Sequence, residues 1–114
     1  MEIYESISET YDHIFEYEKA NGLGLSLEDK YCLAAALELE ITCVTDEYAM
    51  QNVANEFDIN VITTIGLMKL MVENGFIDVN QVRAILSYLE FENDLPYSKK
   101  KVEQEFKLLF DEEL

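Results

Sequence analysis

The sequence predicts a helix-rich α/β fold with a short parallel sheet at its centre. Three observations lead there. Apolar residues recur at helical spacing through six segments. Two short runs, 41–45 and 59–62, carry β-branched residues and flank one of those segments. Of the 114 residues, 49% are apolar, enough to bury one core, so the chain reads as a single domain over 1–114.

The first helix is predicted from Ile3, Tyr4, Ile7, Tyr11, Ile14 and Phe15, with Tyr17 at the edge of the same stripe and an acidic outer face. Asn21-Gly22-Leu23-Gly24 ends it, Gly22 being suited to a left-handed C-terminal cap. Ser26-Leu27-Glu28-Asp29 reads as a capping box that opens a second helix to about Leu39. That helix is apolar on most sides, which predicts that it is buried. Ile41-Thr42-Cys43-Val44-Thr45 reads as a buried parallel strand. Asp46 is placed to cap a third helix through Met50, Val53, Ala54 and Phe57. Ile59-Asn60-Val61-Ile62 is the second strand. Thr63 or Thr64 opens a fourth helix that Asn74-Gly75 closes, and Asp78 caps a fifth. After the turn Asn93-Asp94-Leu95-Pro96, Ser98 opens a sixth helix with Val102, Phe106, Leu109 and Phe110. The resulting β-α-β centre implies a right-handed crossover between parallel strands.

Charge limits the function. Eight cations face twenty-four anions, a net charge of −16. A surface that holds nucleic acid by neutralising phosphates needs the opposite sign. RNA binding is then expected only through a bridging divalent ion or a basic partner chain; the other readings are an acidic surface that engages a basic protein, and a charge that serves solubility alone. No apolar stretch approaches the roughly 20 residues of a membrane span. The acidic start Met1-Glu2-Ile3-Tyr4-Glu5 lacks the basic region of a secretory signal. Cys32 and Cys43 fall in segments read as buried, which together suggest a reducing, cytoplasmic setting. His13, the only histidine, reads as a helix-surface residue. Lys99-Lys100-Lys101, the one basic cluster, reads as a solvated helix start, and Asp111-Glu112-Glu113 as a frayed acidic tail.

The stretch Leu25-Ser26-Leu27-Glu28-Asp29, the helix Leu33-Ala34-Ala35-Ala36-Leu37-Glu38-Leu39 and the strand end Val44-Thr45-Asp46-Glu47 resemble the PIN-domain family, where an "LSxxD" box precedes an alanine- and leucine-rich helix and a strand ends in "TDD". Tyr48-Ala49-Met50-Gln51-Asn52-Val53-Ala54 is similar to the PIN domain of ribosomal-RNA maturation endonucleases. Ile62-Thr63-Thr64-Ile65-Gly66-Leu67 through Asn74-Gly75-Phe76-Ile77 is similar to PIN proteins of bacteria and archaea with a helical tail. The resemblance is strongest over 22–92. It implies a truncated, three-layer PIN-like fold with a helical C-terminal extension, and a metal-dependent ribonuclease origin of toxin–antitoxin or RNA-processing type.

In that family three or four carboxylates at the carboxyl ends of parallel strands hold Mg²⁺ or Mn²⁺, hard cations that take oxygen ligands. By resemblance, Asp29, Asp46 and Glu47 are the catalytic and metal-binding carboxylates, and Thr45 and Ser26 are binding residues. Asp29 and Asp46 also have structural roles as a capping-box residue and a helix cap, and Glu47 suits the positive end of a helix dipole. The family's first strand, with its terminal aspartate, has no counterpart: the segment before Asp29 has a helical pattern, and Asp12 and Glu16 match no motif. Without that strand, the run 41–44 has an uncovered edge. The expectation is a protein partner or a homodimer that completes the sheet, or the first helix folded over the gap. Two functions follow: a shortened PIN-type ribonuclease, or a non-catalytic inhibitor or regulatory protein for a basic partner.

Overall fold

The computed structural model describes residues 2–114. Two compact units divide the chain, the first ending at Ile62 and the second being Thr63–Leu114.

In the first unit, α1 (Ile3–Asn21) stops at Gly22, which takes a left-handed conformation (φ 62°) while its N–H bonds back to the Glu18 carbonyl. Helix α2 (Leu27–Leu39) starts at the predicted capping box: the Ser26 hydroxyl accepts from the Asp29 N–H, and the Asp29 carboxylate accepts from the Ser26 N–H. The two helices pack against each other. Their contact is a ladder of residues four apart, each set stacked on one helix face. Thr10, Ile14 and Glu18 of α1 run against Glu38, Ala34 and Lys30 of α2. The Thr10 hydroxyl donates to Glu38 Oε1, and Lys30 Nζ reaches Glu18 Oε1 at 3.4 Å. Ile14 and Ala34, both fully buried, occupy the middle rungs. Lys30 is only 6% exposed, and its ammonium also lies over the rings of Phe15 (4.5 Å) and Tyr11 (5.7 Å). Tyr11 stacks in turn on Tyr31 (4.3 Å between centroids).

Strands β1 (Cys43–Val44) and β2 (Val61–Ile62) form a parallel pair, with α3 (Tyr48–Glu56) between them in the chain. The parallel β-α-β centre is thus present, and the fold is helix-rich α/β. Its strands are shorter than the β-branched runs, and β1 is not buried along its length. Cys43 is buried, but Val44 is 43% and Ile41 54% exposed. The reason is the sheet's size. In a parallel ladder alternate residues bond to opposite sides. Cys43 and Thr45 donate to Asn60 and Ile62 (both 2.9 Å), so Val44 turns its amide to the other edge, which no further strand covers among the described residues.

The second expectation to fail is the all-round burial of α2. Leu33, Ala34 and Ala36 are buried, whereas Leu27, Tyr31, Cys32 and Leu39 are exposed. Continuous apolar sequence here means one packed face and one solvated face, and Cys32 is not a core thiol.

In the second unit, α4 (Thr64–Glu73), α5 (Val79–Phe91) and α6 (Lys99–Phe110) close around Ile65, Met68, Val82, Leu86, Val102, Phe106 and Phe110. Their starts lie at the predicted caps. Thr63 accepts from the Gly66 N–H, Asp78 and Gln81 form a capping box, and Ser98 accepts from the Lys101 N–H. The acidic C-terminal segment is tied rather than frayed: Glu112 pairs with Arg83 (3.2 Å) and Glu113 with Lys107 (2.8 Å).

The Glu18–Lys30 pair gives a direct test of the first unit. Both side chains are largely buried, and removing one partner strands the other's charge. Glu18→Gln should cost about 2–4 kcal/mol in urea unfolding. Adding Lys30→Met, which keeps the aliphatic stem against the rings, should recover at least part of that loss. An unchanged unfolding midpoint for Glu18→Gln would show that the pair contributes nothing.

Candidate functional site

All five residues nominated from sequence lie in the first unit, at two turns. The first turn is the entry to α2. Ser26 is exposed and its hydroxyl is taken by the Asp29 N–H at 3.1 Å. Asp29 is half-buried, with Oδ2 accepting from the Ser26 N–H at 3.3 Å.

The second turn follows β1. Thr45 is 7% exposed. Its N–H continues the sheet ladder to Ile62, and its carbonyl accepts from Gln51 Nε2 (3.1 Å). Its hydroxyl accepts from the Glu47 N–H (3.2 Å) and donates to the Met50 sulfur (3.3 Å). This is a local Ser/Thr turn, in which a hydroxyl oxygen takes the amide two residues on. It corrects the expected cap. Glu47, not Asp46, occupies the N-cap position of α3, and its side chain makes no capping bond. Thr45 performs that service from two residues upstream because its hydroxyl is already held in place by the ladder. Asp46 is half-buried and Glu47 exposed.

The two turns flank α2 and β1, which are in contact through Cys32 and Cys43. Burial, above all, pushes the Cys43 thiol up to about 12. The hydrogen bond with Cys32, the charge of Cys32 and the charge of Asp29 act in the same direction. Among the described residues, no three histidine, cysteine, aspartate or glutamate side chains lie close enough to share a metal ion. Asp29, Asp46 and Glu47 do not form a three-carboxylate centre.

Sequence reasoning missed two features. One is Lys30, which puts a buried cation one residue from Asp29; its neighbours Asp29 and Tyr31 carried the only local signal, and its partner Glu18 is twelve residues away. The other is the juxtaposition of Cys32 and Cys43, whose sulfurs are 3.5 Å apart. His13 is exposed, and Lys99 pairs with Glu90 (2.9 Å). No helix among the described residues is long and apolar enough to cross a membrane.

A family model described as a PIN domain (DUF3368) matches residues 4–111. No curated protein and no solved structure matches the chain.

The Thr45 turn is testable by an isosteric change. Thr45→Val removes the acceptor from the Glu47 N–H and the donor from Met50, and should lower stability by about 1–2 kcal/mol. Thermal unfolding read by circular dichroism measures it. Unaltered stability would mean that the hydroxyl's bonds are not what holds the turn.

Proposed function

This chain belongs to the PIN-domain family, a nuclease-like family, and from that membership we propose that it acts in RNA metabolism as a nuclease-like protein that does not cleave RNA on its own. PIN domains generally use divalent metals. The observation that carries the proposal is that the carboxylates the resemblance nominates, Asp29, Asp46 and Glu47, do not fit such an ion: no group of three ligand side chains occurs among the described residues. Asp29 Oδ2 is engaged by the Ser26 N–H, and Glu47 is exposed at a helix start. The net charge of −16 adds a long-range repulsion between the protein and a polyanion.

The test is an RNA-cleavage assay in Mg²⁺ or Mn²⁺ beside a thermal melt in Mn²⁺, with Asp29→Asn/Asp46→Asn as the control. The expected result is equal background cleavage and equal melting temperature for both proteins. Metal-dependent cleavage that the double variant loses, accompanied by a Mn²⁺-dependent rise in melting temperature that it also loses, would establish the opposite reading, a surviving Mg²⁺- or Mn²⁺-dependent ribonuclease.

A second reading, binding of a basic protein, is favoured by α1. Glu2, at its N-cap, and Glu5, Glu9, Asp12 and Glu16 are all exposed. Their spacing of three and four aligns them along one face. A second copy would bring the same charge to that face, so the partner we propose is a basic chain rather than a homodimer. Capture experiments should recover proteins that leave when salt is raised from about 0.1 to about 1 M, which shortens the Debye length from roughly 10 to 3 Å. The Glu5→Lys/Glu9→Lys/Asp12→Lys variant should not retain them. Identical recovery by both proteins would remove the acidic face from consideration.

A further inference from the structure

Cys32 and Cys43 are both free thiols, and the chain brings them together by a matched out-and-back path. From Cys32 to Leu39, α2 rises by about 10 Å. Glu40 then adopts a left-handed conformation (φ 54°), and the Ile41 N–H turns back to the Ala36 carbonyl (3.0 Å). The three steps from Glu40 to Cys43 can span up to about 10 Å, enough to return over that distance. The sulfurs finish 3.5 Å apart. Cys32 is exposed, whereas Cys43 belongs to the first unit's core with Leu33 and Ala36.

We propose that Cys32 and Cys43 form a redox-active dithiol that closes to an intramolecular disulfide tying α2 to β1, with a hydroperoxide as the oxidant. The two cysteines have different tasks. Cys32 is the thiol that a peroxide can reach. Its sulfur attacks the peroxide, the O–O bond breaks, and Cys32 becomes a sulfenic acid as the peroxide leaves as water or an alcohol. Cys43 then attacks the Cys32 sulfur. The S–S bond forms, the S–O bond breaks, and the Cys43 thiol proton goes to the departing hydroxide to give water. In sum, two thiols are oxidised to one disulfide and one O–O bond is reduced. Burial, with the hydrogen bond and charge of Cys32 added, keeps the Cys43 thiol protonated into the alkaline range, so it is the less reactive of the two toward peroxide.

The two thiols are not bonded to each other in the structure. A disulfide needs a sulfur separation of about 2.05 Å, so the atoms have roughly 1.5 Å to close. Motion of the exposed Cys32 side chain supplies most of it. The bond would enclose residues 32–43 and clamp the turn carrying Asp29 to the strand leading to Thr45 and Asp46. The dithiol stands or falls without RNA or metal, so its test is independent of the nuclease question.

The whole chain, fully reduced, is treated with a small excess of hydrogen peroxide, then denatured, alkylated with iodoacetamide and weighed by mass spectrometry. The expected product is a monomer lighter by two hydrogens, carrying no alkyl group and reverting with dithiothreitol. Its melting temperature should exceed that of the reduced protein by roughly 5–15 °C, because the cross-link restricts the unfolded chain. Cys32→Ser, a change at an exposed position, should keep an alkylatable Cys43 and show no peroxide-dependent shift. Three outcomes would overturn the proposal: two alkyl groups after treatment, oxygen added at Cys32 with Cys43 still alkylatable, or disulfide-linked dimers in place of the closed monomer.

Discussion

The first unit depends on one buried ammonium. Helix α2 is apolar on nearly every side, so hydrophobic burial alone does not choose its rotation about its own axis. Many rotations would bury a similar area. The polar rungs at the two ends of the α1–α2 ladder break that degeneracy: Lys30 meets Glu18 at one end and Glu38 meets Thr10 at the other. A buried charge without its partner costs several kcal/mol, far more than the difference between two apolar faces. With Lys30 under α1, Leu33 and Ala36 face the core beside Cys43, and Cys32 comes next to Cys43 of β1. The position of the thiol pair follows from that choice.

What the sequence made legible was local. Gly22, the Ser26–Asp29 box, Thr63, Asp78 and Ser98 mark helix ends through contacts within four residues, and their spelling reports those contacts directly. The parallel pair could also be read, because two β-branched runs about a helix have few other solutions. Burial was less legible. A two-stranded sheet leaves Val44 on an open side, and a helix without a polar stripe does not announce its solvated face. At the second turn, Asp46 looked like a cap, but Thr45 was already fixed by the ladder and by Met50, so its hydroxyl won the Glu47 amide. The Lys30–Glu18 and Cys32–Cys43 pairs required a tertiary path, and the path to the latter turns on Glu40, a residue whose identity does not advertise a left-handed bend.

The same turns explain how a family pattern and an absent three-ligand centre coexist. Ser26 and Asp29 complete a capping box, and Thr45 closes the turn into α3. Each therefore has a structural reason to be present that needs no ion. A match to the pattern over 4–111 reports the architecture, and it constrains chemistry only as far as the carboxylates converge. Here no group of three such side chains comes together among the described residues.

Charge gives a reason for the spread. In a chain with a net charge of −16, three carboxylates held close together would repel one another with little local compensation, since the nearest buried cation, Lys30, is committed to Glu18 and two aromatic rings. At a few ångströms each like-charge pair costs on the order of 1–4 kcal/mol at the dielectric of a protein surface. In the structure Asp29 instead takes the Ser26 amide, and Glu47 lies in solvent.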